Sequence, residues 1–200
     1  MSDAEEIAER MNAARRREMQ APAIVFVVGL ATIVAAWGFE LIGNYVPCKL
    51  CLEERLPYYV GLPVVLAALL AAAAGAKVTV PRMLLIVAAL IFAVNVYLGA
   101  YHAGAEWGWW AGPSDCGATG GSPTSSTDIL AELETVRVVS CTEVQWRLAF
   151  LSFAGWNFVV SLFLVAVALW GAFRPLADGP QERSREAEPS WVTGGNSRHT

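Results

Sequence analysis

The chain has 200 residues, of which 56% are hydrophobic and 16% charged, and its formal net charge is −4 at pH 7. A soluble domain carries about 45–50% apolar and about 25% charged residues, so this composition is that of a membrane protein. The mild acidity, with no basic run interleaved with aromatics, argues against nucleic acid as a partner.

Residues 1–22 read as a polar segment that forms a short surface helix before Pro22. The first apolar stretch, about Ala23–Gly43, is long enough for a bilayer core, which takes roughly 20 helical residues. It carries Glu40, and Asn44 follows it, where a signal peptide would have small residues before its cleavage site. It is therefore expected to be a retained helix. Three more spans follow at about Leu56–Ala76, Arg82–Ala103 and Leu148–Phe173. The short connection "GAKVTVPR" makes the second and third an antiparallel hairpin. The predicted fold is an all-α four-transmembrane-helix bundle over residues 23–173, followed by a Pro-, Gly- and charge-rich tail at 174–200.

Orientation follows from the 14 Lys and Arg residues. Ten of them, Arg10, Arg15, Arg16, Arg17, Lys77, Arg82, Arg174, Arg183, Arg185 and Arg198, fall on one side of such a bundle. Lys49, Arg55, Arg137 and Arg147 fall on the other. The positive-inside rule then places both termini in the cytoplasm. Loop 1 (about 44–55) and loop 3 (about 104–147) share the outer face, and between them they hold every cysteine: Cys48, Cys51, Cys116 and Cys141. Thiols on the outer side are where disulfides persist.

Loop 3 opens with "AGPSDCGATGGSPTSST", rich in turn-forming residues, so Cys116 is expected on a mobile arm. In "DILAELETVRVVS" the spacing of Ile129, Leu130, Leu133 and Val136 predicts a short amphipathic helix at the membrane surface or in water. Trp107, Trp109, Trp110 and Trp146 bracket the loop at the outer boundary, where indoles favour the headgroup region or line a pocket.

The stretch "YVPCKLCLEERLPYY" holds a C-x-x-C pair. Three chemistries fit four cysteines in this arrangement. A four-thiolate zinc site normally has a second close-spaced pair, whereas Cys116 and Cys141 are 25 residues apart. Two structural disulfides could brace the outer loops, although closing a ring as small as C-x-x-C removes little chain entropy. A redox relay needs one pair that cycles between dithiol and disulfide, and a second pair that reaches an outside partner; both are present. Cys51, four residues before Arg55 and close to a helix start, is the expected activated thiol, with Glu53 and Glu54 opposing. No haem or dinucleotide motif occurs, so a membrane quinone is the simplest electron acceptor. Arg55 would then hydrogen-bond its carbonyl.

"PCKLCLEERLPYY", "YHAGAEWGWWAGPSDC" and "SCTEVQWRLAFLSFAGWN", in this order, resemble the disulfide bond formation protein B (DsbB) family of bacterial inner-membrane thiol:quinone oxidoreductases, over roughly residues 23–172. The resemblance implies disulfides Cys48–Cys51 and Cys116–Cys141 in the resting enzyme. It implies attack on Cys116 by a reduced DsbA-like periplasmic thioredoxin-fold oxidase, then exchange between Cys141 and Cys48. Electrons would pass from Cys51 to a quinone, ubiquinone or menaquinone, and on to the respiratory chain as quinol. Arg55 matches the family's quinone-contacting arginine, and His102 a histidine found in some members near the quinone. Glu106 lies one turn beyond His102. Glu54 stands where relatives often carry Gln, and Pro57 fits only within the first turn of a helix. A vitamin K epoxide reductase-like enzyme also joins a bundle to a C-x-x-C pair, but places that pair late in the chain.

Overall fold

The computed structural model describes residues 3–113 and 140–175. In chain order these form α1 (Asp3–Leu41), α2 (Lys49–Glu53), α3 (Leu56–Ala73), α4 (Thr79–Glu106), the two-residue strands β1 (Arg147–Leu148) and β2 (Leu151–Ser152), and α5 (Phe153–Phe173). Helices α1, α3, α4 and α5 are long and apolar enough to cross a membrane. Each of α1 and α4 packs against both α3 and α5, which closes a four-helix bundle.

Three features differ from expectation. The surface helix and the first span are one helix, α1, which runs through Pro22. Proline removes one backbone hydrogen bond there, but Ala21, Pro22 and Val25 are fully buried against the bundle, and that packing holds the helix together. The fourth span begins at Phe153 instead of Leu148, because Ala149 and Phe150 adopt positive φ (49° and 72°) and turn the chain into the β1–β2 hairpin. The Ser152 hydroxyl then caps α5 by accepting from the Gly155 N–H at 3.2 Å. Loop 1 contains the extra short helix α2. Pro57 lies in the first turn of α3, as its chemistry requires. The amphipathic helix expected around Ile129–Val136 lies outside the described residues.

The core is built from Val25, Val65, Ala68, Leu85, Ala88, Phe92, Leu164 and Ala168. Val34, Leu70, Leu90 and Leu162 face outward, as lipid-facing side chains do. Lipid is as apolar as these side chains, so helices in it associate through close packing and internal polar bonds. Both are present. The Asn95 amide, fully buried on α4, donates to Ser161 Oγ at 2.9 Å and to Asn157 Oδ1 at 3.2 Å on α5. Tyr58 on α3 donates to the same Asn157 oxygen at 2.9 Å. At Gly99 the backbones of α4 and α5 approach so closely that a Cβ would lie 3.0 Å from the Phe158 backbone nitrogen. A Gly99→Leu substitution is therefore expected to wedge α4 from α5 and destabilise the bundle by about 1–3 kcal/mol. Thermal unfolding in detergent checks this; an unchanged midpoint would show that the helices are not in close contact there.

Candidate functional site

Loop 1 folds back over the end of the bundle. Cys48 is the N-cap of α2, its sulfur accepting from the Cys51 backbone N–H at 3.3 Å. This places the two free sulfurs 3.1 Å apart. Cys48 and Leu50 are buried together with Cys141, and Cys51 and Tyr101 pack against them. Gln145 ties the end of loop 3 to loop 1 by donating to the Val46 carbonyl at 3.0 Å. Cys141 is disulfide-bonded. Cys116 lies outside the described residues.

Behind the cysteines is a group of buried ionisable side chains. His102 on α4 directs Nε2 at Cys48 Sγ (3.7 Å) and Nδ1 at Glu54 Oε1 (2.9 Å). With both ring nitrogens protonated, it donates to each. Glu106, one turn on, lies 4.0 Å from His102 Nε2 and accepts from the Ser152 hydroxyl. Arg55, at the N-cap of α3, is only 8% exposed. It pairs with Glu40 of α1 at 2.5 Å and lies 5.1 Å from the centroid of the Trp37 ring.

The Cys48 thiol is brought down to about 4. The Cys51 side chain donating to its sulfur is the largest cause; His102 adds a hydrogen bond and an opposite charge, and together they outweigh burial. The activated thiol of the pair is thus Cys48, where the sequence pointed to Cys51. The reason is the geometry: the Cys48 sulfur receives the Cys51 side chain and faces His102, with a smaller contribution from the Cys51 N–H, while Arg55 is turned toward Glu40.

A cavity of about 640 Å³ opens beside this group, within the usual range for small-molecule sites. Cys48, Cys51, Arg55 and His102 all line it. Its walls include Phe39, Tyr45, Trp146 and Phe153, with Trp146 stacked on Phe153 at 4.8 Å. On α1 the lining extends along Val27, Ala31 and Ala35. Aromatic faces next to a guanidinium and two sulfurs, continued by an apolar strip, fit a flat carbonyl-bearing ring with an apolar tail. Trp146 is thereby a pocket residue, whereas Trp107, Trp109 and Trp110 are exposed like interfacial anchors. The donor atoms of Cys48, Cys51 and His102 also lie within 4.8 Å of one another, close enough for one metal ion. A four-thiolate site is not assembled among the described residues, since Cys141 is bonded elsewhere.

Sequence reasoning missed Glu40 and Trp37 as site residues and left Glu54 and Glu106 unassigned. For Glu40 the signal was available: a carboxylate inside an apolar span calls for a named partner.

The Cys48 geometry predicts its reactivity in the reduced protein. Alkylation of Cys48 by iodoacetamide, mapped by mass spectrometry, should stay nearly flat between pH 8 and pH 6, where an ordinary thiol slows about 75-fold. Cys51→Ala should restore a rise with pH; a steep profile in the parent protein would refute the assignment.

The model of one family, disulfide bond formation protein DsbB, matches residues 18–171. No match was found among curated proteins or solved structures. The matched segment covers most of the chain and takes in all four cysteines and the whole bundle from Glu18 of α1 to Gly171 of α5, so this chain belongs to the DsbB family of membrane oxidoreductases of disulfide bond formation.

Proposed function

We propose that this protein is a thiol:quinone oxidoreductase of the bacterial inner membrane that reoxidises a DsbA-like periplasmic oxidase, with both termini in the cytoplasm. The observation that carries the reading is that Cys141 packs against Cys48, which lines a cavity together with Cys51, Arg55 and His102. In the relay, a thiolate of the reduced partner attacks Cys116 of a Cys116–Cys141 disulfide, which forms a mixed disulfide and releases Cys141. The partner's second thiol displaces Cys116 and leaves the partner oxidised. Cys141 then attacks Cys48 of the Cys48–Cys51 disulfide and frees Cys51.

When the Cys116 thiolate closes again on Cys141, Cys48 is the leaving group. A sulfur whose thiolate is stabilised leaves faster, and the contacts from Cys51 and His102 supply that stabilisation. A bound quinone supplies the acceptor for two electrons and two protons. Arg55, steered by Glu40 and Trp37, holds a carbonyl oxygen and offsets negative charge beside Cys51. His102, between Glu54 and Cys48, holds a proton at the sulfur that must exchange. Trp146, Phe153 and Phe39 keep water from the ring position.

The direct test is quinone reduction by the purified protein, followed optically, with a reduced thioredoxin-fold oxidase as donor. Turnover should vanish in Cys51→Ala. Absence of turnover with both ubiquinone and menaquinone, with the four cysteines paired and inert, would favour a scaffold whose disulfides only brace its outer loops. Arg55→His should raise the KM for quinone more than the KM for the partner; equal effects would show that Arg55 acts only on structure. Cys116→Ser should abolish attack by the partner and leave quinone binding intact. Loss of quinone from that variant would contradict the division of labour between the two cysteine pairs.

A further inference from the structure

At the opposite end of the bundle, α1, the α3–α4 connection and the residues just after α5 enclose a second cavity, of about 320 Å³. Arg15, Arg17 and Arg174 line it together with Glu18. Arg82, next to the lining residue Pro81, donates to Glu18 Oε1 at 3.3 Å. Three guanidiniums thus line the cavity with one carboxylate, which is already paired with a fourth, Arg82. Two of these four retain unused donors: Arg82 Nε and Arg174 Nη2 are buried and have no hydrogen-bond partner among the described residues. Burial lowers the pKa of Arg174, and the charges of Arg17 and Arg82 oppose the relief that Glu18 gives. The site is therefore short of negative charge.

The rim identifies which anion fits. Arg174 lies 5.3 Å from the centroid of the Trp170 ring, and Trp170 is half exposed. Met83 and Phe173, the sequence neighbours of Arg82 and Arg174, are exposed apolar side chains near the ends of membrane-spanning helices. A free anion would use the guanidiniums alone. A molecule with an anionic head and apolar chains would use the rim as well, and basic pockets between spanning helices suit such headgroups.

We propose that this cavity binds the phosphate of an anionic phospholipid, with Arg82 and Arg174 donating to its oxygens and the acyl chains lying along Met83, Trp170 and Phe173. The site is remote from the cysteines and independent of their chemistry.

The test uses the purified full chain in nonionic detergent and two readouts, native mass spectrometry and the thermal unfolding midpoint. The probes are phosphatidylglycerol, phosphatidylcholine and inorganic phosphate. Phosphatidylglycerol should bind and raise the midpoint, while phosphatidylcholine and inorganic phosphate should not. Arg174→Gln should weaken phosphatidylglycerol binding about fivefold, and adding Arg82→Gln should weaken it about fivefold again. If the double variant does not fold, the single variant carries the comparison. Arg10→Gln, an exposed position paired with Glu6 outside the cavity, should bind as the parent does. Undiminished binding by Arg174→Gln would overturn the site, as would equal binding of phosphatidylcholine. A midpoint rise with inorganic phosphate alone would overturn the lipid as its occupant.

Discussion

An ionisable side chain carried into an apolar bundle must bring its partner with it, because leaving a charge unpaired away from water costs several kcal/mol. Much of the architecture around the cysteines follows from this. The Glu40–Arg55 pair fastens α1 to the start of α3, and the Glu54–His102 contact fastens the α2–α3 junction to α4. Ser152 and Glu106 join α5 to α4. These bonds fix loop 1 against the helix ends, and the position of Cys48 is their consequence. Removing one partner would both strand a charge and loosen the loop that carries the thiols.

The two ends of the bundle solve the same problem differently. Near the cysteines two cations serve the buried acidic groups: Arg55 pairs with Glu40, and His102 is shared among Glu54, Glu106 and the Cys48 sulfur. At the other end cations outnumber carboxylates, and two guanidinium nitrogens have no partner among the described residues. The middle of the bundle is held by neutral amides and hydroxyls, with Asn95, Asn157, Ser161 and Tyr58 joining three helices. Their bonds cost less to bury than charges do.

Much of this was legible in the sequence, for physical reasons that differ by residue. The spans were visible because twenty apolar residues in a row have few other uses, and Pro57 marked a helix start because proline lacks an N–H. The α1 boundary was misread because Pro22 is a local signal, overridden by burial of Ala21 and Val25 against helices far along the chain. The hairpin before α5 escaped because positive φ at Ala149 and Phe150 is not written in those residue types. Glu40 was noticed only as an obstacle to cleavage; its partner is fifteen residues away across a turn, a distance that periodicity does not span. Which cysteine is activated depended on which sulfur receives its partner's side chain and faces His102, and spacing alone does not contain that.

The cap of α2 has a consequence of a different kind. Its acceptor is the reactive sulfur itself, so the helix end and the redox centre are one atom. A thiolate accepts the Cys51 N–H more strongly than a neutral sulfur does. The chemical state of Cys48 is therefore written into a backbone amide, and the first turn of α2 tightens or loosens as that sulfur gains or loses charge. The Cys51 amide resonance is thus an internal gauge of the centre, readable by NMR without adding a label or disturbing either thiol.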